Sequence, residues 1–124
     1  MAFIGLDIGT CNCCCYALTE DLPELIPSKL GNHLTPSCVA YTDKHVLVGE
    51  AAVQQQSSNP LNTFVEFKRV IGRSYEQKSL WRDAQHWPFR LVRPDADETD
   101  GRPRYPAMYC GDLIRLTALD LYTV

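Results

Sequence analysis

The stretch FIGLDIGTCNCCCYAL, residues 3–18, decides how the rest of the chain is read. An apolar run ends in Asp7, a Gly–Thr pair follows, and four cysteines (Cys11, Cys13, Cys14, Cys15) crowd into the five positions from 11 to 15. Apolar residues on either side of a short polar tip predict a β-hairpin. Residues 2–8 form a buried strand, Gly9 to Asn12 the turn, and Cys13 to Thr19 the returning strand. On that strand Cys13 and Cys15 face one side of the sheet and Cys14 the other. A turn built on glycine exposes consecutive backbone N–H groups, a concavity suited to phosphate oxygens, and the missing Cβ lets a ligand approach. Thr10 adds a hydroxyl. Asp7 is placed to face a cation such as Mg²⁺, which takes carboxylate and water ligands and bridges polyphosphate oxygens. The residues themselves fit a plain hairpin with a polar tip equally well. No G-x-x-x-x-G-K-[ST] phosphate loop occurs in the chain.

The totals narrow the function classes. At 124 residues the chain makes one small domain, and 45% hydrophobic with 22% charged residues is ordinary globular composition. A net charge of -3 gives no basic footprint for nucleic acid. No apolar run approaches ~18 residues, so no membrane partner is expected. No charged leader precedes an apolar stretch, and strand-like sequence from Ala2 leaves no room for a transit peptide. Six cysteines without a signal sequence point to a reducing compartment and free thiols, hence a cytoplasmic protein, with the nucleus as an option. Cys11 and Cys14 formally make a C-x-x-C. The other zinc ligand candidates, Cys38, Cys110 and three histidines, are scattered singly. A redox role for Cys11 or Cys13 stands beside the plainer reading of small buried side chains, and both are expected to react faster than Cys14 and Cys15.

Along the chain, residues 24–26, 37–42 and 45–49 read as short strands, and GEAAVQQQ (49–56) as a short helix ended by Asn59–Pro60. Residues 62–72 read as a helix, with Asn62 or Thr63 as N-cap, Gly72 as terminator, and Phe64, Phe67 and Ile71 on one face. Residues 79–85 read as a helix begun by Ser79. Residues 89–92 and 102–108 bracket an acidic turn as a hairpin. From about Ala107 to Tyr122 the apolar stripes predict a last helix. That helix stops at LDLYTV without Gly, Pro or a polar cap, which suggests a chain cut short of its natural fold. Trp81 and Trp87 read as packing groups.

IGLDIGTCNCCCYAL (4–18), LTPSCVAYTDKHVLVGEAAVQQ (34–55), NPLNTFVEFKRVIGR (59–73) and WPFRLV (87–92) resemble, in order and spacing, the start of the 70-kDa heat-shock chaperones. The resemblance covers nearly the whole chain and is weakest at residues 90–105. It implies an α/β fold of the actin-like, ribonuclease-H-like ATPase type, with a mixed sheet and flanking helices. Residues 1–124 would be an incomplete first lobe without the substrate-binding domain. It implies ATP or ADP with Mg²⁺, and K⁺ as an optional companion, as cofactors. Asp7 would lie near the metal, Gly9, Thr10, Cys11 and Asn12 in the first phosphate loop, and Lys68 near the γ-phosphate as the catalytic ammonium. The complete protein would hydrolyse ATP to drive binding of unfolded client proteins with co-chaperones, whereas this chain alone would be inactive. A non-catalytic interaction module and a thiol redox switch are the alternatives. The chain departs from the family where Cys11 and Cys13 replace the usual Thr and Ser, Cys15 replaces Val, and His33 and Leu34 replace Arg and Thr.

Overall fold

The computed structural model describes residues 3–19 and 22–124. Ala2, the first residue of the predicted strand, lies outside them. Every strand pairing among the described residues is antiparallel, so the expected mixed sheet is corrected to three small antiparallel sheets. The first holds β1 (Phe3–Ile8), β2 (Asn12–Thr19) and β3 (Leu22–Ile26) in that order, with the short β4 (Thr35–Pro36) also pairing β2. Pro23 sits opposite Leu18 on β3, at the sheet edge, where its missing N–H breaks no ladder. The second sheet has the order β6–β5–β7, built from β5 (Cys38–Tyr41), β6 (Val46–Val48) and β7 (Thr63–Val65), with helix α1 (Glu50–Gln54) between β6 and β7 in the chain. Helix α2 (Lys78–Ala84) follows, then the hairpin β8 (Tyr105–Tyr109) and β9 (Asp112–Leu116), then helix α3 (Ala118–Tyr122).

The core lies between the second sheet, the β8–β9 hairpin, α2 and α3. Phe64, Leu80 and Tyr105 are wholly buried there. Phe64 meets Phe89 and Tyr105 edge-on at ring separations of 5.4 and 5.3 Å, a geometry that suits aromatic quadrupoles. Trp87 stacks on Phe89 at 5.4 Å, so its packing role holds. Burial also pushes the Cys38 thiol up to about 11, since the thiolate would lose its hydration inside the sheet.

Three expectations fail for identifiable reasons. Strand β1 is exposed along its whole length, with Ile4 at 68% and Leu6 at 67%, because none of the described elements packs over it. The chain's surface of 8211 Å² exceeds the ~6,700 Å² of a compact monomer of its 14.0 kDa mass, in keeping with this open sheet. Residues 62–72 form no α-helix. Thr63–Val65 joins the second sheet with Val39 opposite Phe64, flanked by single 3₁₀ turns at Pro60–Asn62 and Phe67–Arg69. The buried Thr63 hydroxyl donates to the Asn59 carbonyl at 2.6 Å and accepts from Gln55 Nε2 at 2.8 Å, which fixes this strand start. The predicted helix from 107 to 122 is a hairpin in its first half. Cys110 and Gly111 both have positive φ, +53° and +86°, and close a two-residue turn between Tyr109 and Asp112. Only Ala118–Tyr122 is helical, begun by a capping box in which the Thr117 hydroxyl accepts from the Asp120 N–H and the Asp120 carboxylate accepts from the Thr117 N–H.

The hairpin expected from 89–92 and 102–108 reduces to one bridge, Val92 with Arg104. The buried Arg104 guanidinium then gathers the acidic turn, donating to Glu98 Oε1 at 2.9 Å and Asp100 Oδ1 at 3.1 Å.

Two outcomes follow from this packing. A turn needing two left-handed residues favours Asn over Cys at its first position. Cys110→Asn should therefore stabilise the chain by about 1 kcal/mol and Gly111→Val destabilise it by about 1–2 kcal/mol in urea unfolding. Equal midpoints for all three proteins would reject the turn assignment. The Cys38 thiol ionises in the unfolded chain near 9.0 but in the folded one near 11, so its contribution to stability is complete below pH 9 and lost as pH rises through 11. Urea midpoints should fall across that window, less steeply in Cys38→Ala. A flat profile from pH 9 to 11 would contradict the burial of this thiol.

Candidate functional site

The site begins at the tip of the first hairpin. The register brings Ile8 opposite Cys13 and Asp7 opposite Cys14, so the chain must reverse within residues 9–12. The Gly9 N–H donates to the Asn12 carbonyl at 3.0 Å. A Cβ on Gly9 would lie 2.3 Å from that carbonyl oxygen, so glycine is required by space alone. The expectation of a fully free run of N–H groups is corrected at this residue. The N–H groups of Thr10 and Cys11 donate to no protein acceptor among the described residues. Cys11 and Asn12 are exposed, Gly9 and Thr10 half-buried.

Ser37, buried just before β5, ties this tip to the second sheet. Its hydroxyl donates to the Gly9 carbonyl at 2.9 Å, and its N–H donates to the Cys11 carbonyl at 2.8 Å. Cys13 Sγ lies 3.3 Å from the same hydroxyl oxygen. Ser37 has one hydroxyl hydrogen and Gly9 takes it, so the Cys13 thiol is the donor in that contact. Cys14 and Cys15, expected in a core, are half-buried, because the sheet has no cover. Cys13 and Cys15 share their face with Leu6 and Ile8 and line an open cavity of about 280 Å³ with His33 and Thr35. Among the described residues no group of three or more His, Cys, Asp or Glu side chains is arranged to hold a metal ion, so the C-x-x-C gains no partners for zinc.

Lys68 reaches the same place from 60 residues away: its ammonium donates to the carbonyl of Ile8, next to Gly9. The local fold explains the aim. Glu66 adopts a left-handed φ of +52°, uncommon for a residue with a Cβ. Its carboxylate is held by Arg69 Nε at 2.9 Å and by Trp87 Nε1 at 3.3 Å. The chain turns there into the 3₁₀ segment, where Phe67 is buried edge-on against Tyr122 at 4.6 Å and Lys68 points outward. Asp7 is exposed on β1 and makes no ion pair among the described residues.

The structure thus brings together Gly9 to Asn12, Lys68 and the strand end carrying Asp7. It adds Ser37 and Glu66, which the sequence reading passes over. The only signal for Ser37 is its place in LTPSCVAY, whose match to the family says nothing of its contacts. For Glu66 there is none, since glutamate does not announce a left-handed turn. The arrangement can present N–H donors and one ammonium to an anion, with the Asp7 carboxylate on the same strand end for a hydrated cation.

Comparison with known proteins agrees with the order of these segments. Residues 3–105 match the family model described as Hsp70 protein. A ribosome-associated molecular chaperone of Zygosaccharomyces rouxii is 38% identical over 109 residues, covering 88% of this chain and 17% of the relative. The heat shock cognate 70 kDa protein 3 of Dictyostelium discoideum is 36% identical over 112 residues, 90% of this chain and 17% of the relative. A ribosome-associated molecular chaperone of Saccharomyces cerevisiae is 39% identical over 106 residues, 86% of this chain and 16% of the relative. The chain spans about a sixth of the length of the curated relatives it matches. With a family match over residues 3–105 and relatives 36–39% identical over most of its length, this chain belongs to the Hsp70 family of heat-shock chaperones.

Proposed function

We propose that this chain is the phosphate-binding part of the first lobe of an actin-like ATPase domain. The complete protein binds ATP or ADP with Mg²⁺, K⁺ serving as a companion ion, and hydrolyses ATP to drive cycles of client-protein binding with co-chaperones. The observation that carries the proposal is the meeting of Lys68 with the Gly9–Asn12 tip across 60 residues of sequence.

The residues fit a nucleotide's phosphates. The Thr10 and Cys11 N–H groups and the Thr10 hydroxyl would donate to phosphate oxygens, while Gly9 serves the tight turn that presents them, the space of its missing Cβ being filled by the Asn12 carbonyl. Asp7 would accept hydrogen bonds from the water shell of a bound Mg²⁺. Lys68 exchanges a carbonyl partner for a phosphate oxygen, a stronger, charge-assisted contact. Its ammonium then opposes the charge that grows on the transferring group, a reaction in which the protein supplies position and electrostatics rather than covalent chemistry. Hydrolysis needs such groups on both sides of the γ-phosphate, and these residues furnish one side. The exposed apolar sheet supports the reading of a partial lobe, since strands of this composition are normally covered. The cytoplasm is the proposed compartment, in keeping with relatives described as ribosome-associated, and nothing favours the nucleus. No helix among the described residues is long and apolar enough to cross a membrane.

Steady-state assays of the purified chain should give no ATP turnover above buffer. In the complete protein Lys68→Ala should lower the single-turnover hydrolysis rate by about 10²-fold while changing nucleotide affinity far less. A large loss of affinity with unchanged hydrolysis would refute the role given to Lys68.

Thiol labelling followed by mass spectrometry reports on the loop itself. Cys11 and Cys110 are exposed and should label first, Cys38 last, with Cys13, Cys14 and Cys15 between. Mg-ATP added to the complete protein should slow Cys11 and leave Cys110 unchanged. Indifference of Cys11 to Mg-ATP would count against its place in the phosphate loop.

A further inference from the structure

We infer that Ser37 is a positioning residue that sets the polarity of the Gly9–Asn12 loop, by holding the Gly9 and Cys11 carbonyls away from the anion so that the Thr10 and Cys11 N–H groups remain exposed to it. This rests on the phosphate-loop reading proposed above. A peptide loop has as many acceptors as donors, and near a polyphosphate each free carbonyl repels while each free N–H attracts. An anion-binding loop therefore needs its acceptors engaged elsewhere. Ser37 engages two of them with two different donors: the hydroxyl takes the Gly9 carbonyl at 2.9 Å and the N–H takes the Cys11 carbonyl at 2.8 Å. The Asn12 carbonyl is taken by the Gly9 N–H at 3.0 Å. Within the loop the acceptors of Gly9, Cys11 and Asn12 are thus occupied, while among the described residues the Thr10 carbonyl meets no donor and the Thr10 and Cys11 N–H groups meet no acceptor.

Ser37 suits this task because it is itself fixed. It is 7% exposed and precedes Cys38, which pairs with Val65 inside the second sheet, so the loop is referenced to the core rather than to its own exposed hairpin. The Cys13 thiol donates to the Ser37 oxygen at 3.3 Å and leaves the hydroxyl hydrogen with Gly9. A hydroxyl in place of that thiol would donate more strongly and, by polarising the Ser37 O–H, tighten its bond to Gly9.

The test compares the 124-residue chain with its Ser37→Ala and Ser37→Thr variants by NMR, reading amide exchange at Gly9 and residue 37 and the shifts of the Thr10 and Cys11 amides during titration with inorganic tripolyphosphate and, separately, Mg-ATP. Freeing the Gly9 carbonyl should loosen the turn that the Gly9 N–H closes on the Asn12 carbonyl, so Gly9 exchange should speed about three- to tenfold in Ser37→Ala and tripolyphosphate binding weaken by a similar factor, with both restored in Ser37→Thr. A merely structural contribution would lower the unfolding midpoint and leave tripolyphosphate affinity in the folded fraction unchanged. Unchanged Gly9 exchange in Ser37→Ala overturns the inference, and so does faster exchange with unaltered tripolyphosphate affinity. If neither ligand moves the Thr10 and Cys11 amides of the parent chain, the phosphate-loop reading itself fails, whatever the exchange shows. Should Ser37→Ala not fold, Cys13→Ser runs the test in the other sense: Gly9 exchange should slow, and an unchanged rate overturns the inference.

Discussion

Phe64 fixes how the two halves of this chain meet. Its ring is wholly buried against Phe89 and Tyr105, two residues from the later half, while its backbone pairs with Val39 in the second sheet. Burial of a phenylalanine contributes about 2–3 kcal/mol, more than the small helix propensity of the residues around it. That difference holds Thr63–Val65 extended. The chain then has to leave the strand abruptly to bury Phe67 as well. Glu66 supplies the change of direction by adopting a left-handed backbone, and its carboxylate contacts with Arg69 and Trp87 hold the kink in place. Lys68 is exposed and aimed at the hairpin because the residue before it is buried. The direction of the candidate catalytic side chain is thus a consequence of aromatic packing several residues away.

The first hairpin has the opposite character. It contributes nothing buried to the core, and its strands expose apolar side chains on both faces of β1. What anchors its tip is polar: the Ser37 bonds to Gly9 and Cys11, the Lys68 bond to Ile8, and the short β4 pairing at Asn12 and Cys13. A tip held by directional bonds rather than by packing keeps its main chain accessible, which a binding loop requires and a core element does not.

The division between what the sequence discloses and what it conceals follows the same line. The hairpin of residues 3–19, the strands near 24–26, 38–41 and 46–48, and the short helices at 50–54 and 78–84 are encoded locally, by alternation and by Gly and Pro punctuation. The strand at 63–65 is not. Phe64 and Phe67 stand three apart, a spacing a helix also satisfies, and the pairing that decides against a helix comes from β5. The β8–β9 hairpin hides for another reason. Its turn uses Cys110 at a left-handed position where Asn or Asp would have signalled it, and Leu113, Ile114 and Leu116 fit a helical stripe as well as alternation. At the site, D-x-G-T suggested a phosphate loop without separating it from a plain turn, and resemblance to the heat-shock chaperones singled out Lys68. Ser37 remained invisible because a buried hydroxyl becomes meaningful only when a carbonyl 28 residues away is placed above it.

The cysteines of the opening stretch are then intelligible as substitutions that the main chain tolerates. A thiol is a poorer hydrogen-bond donor than the hydroxyls usual in this family at positions 11 and 13. At position 13 the lost strength falls on the contact to the Ser37 oxygen, and neither of the two bonds by which Ser37 holds the loop passes through that side chain. At position 11 the side chain is exposed, while the carbonyl and the N–H that matter belong to the backbone. Gly9 offers no such latitude, because any Cβ there collides with main-chain atoms that close the turn. The loop is therefore strict about backbone space at one residue and permissive about side-chain chemistry at its neighbours.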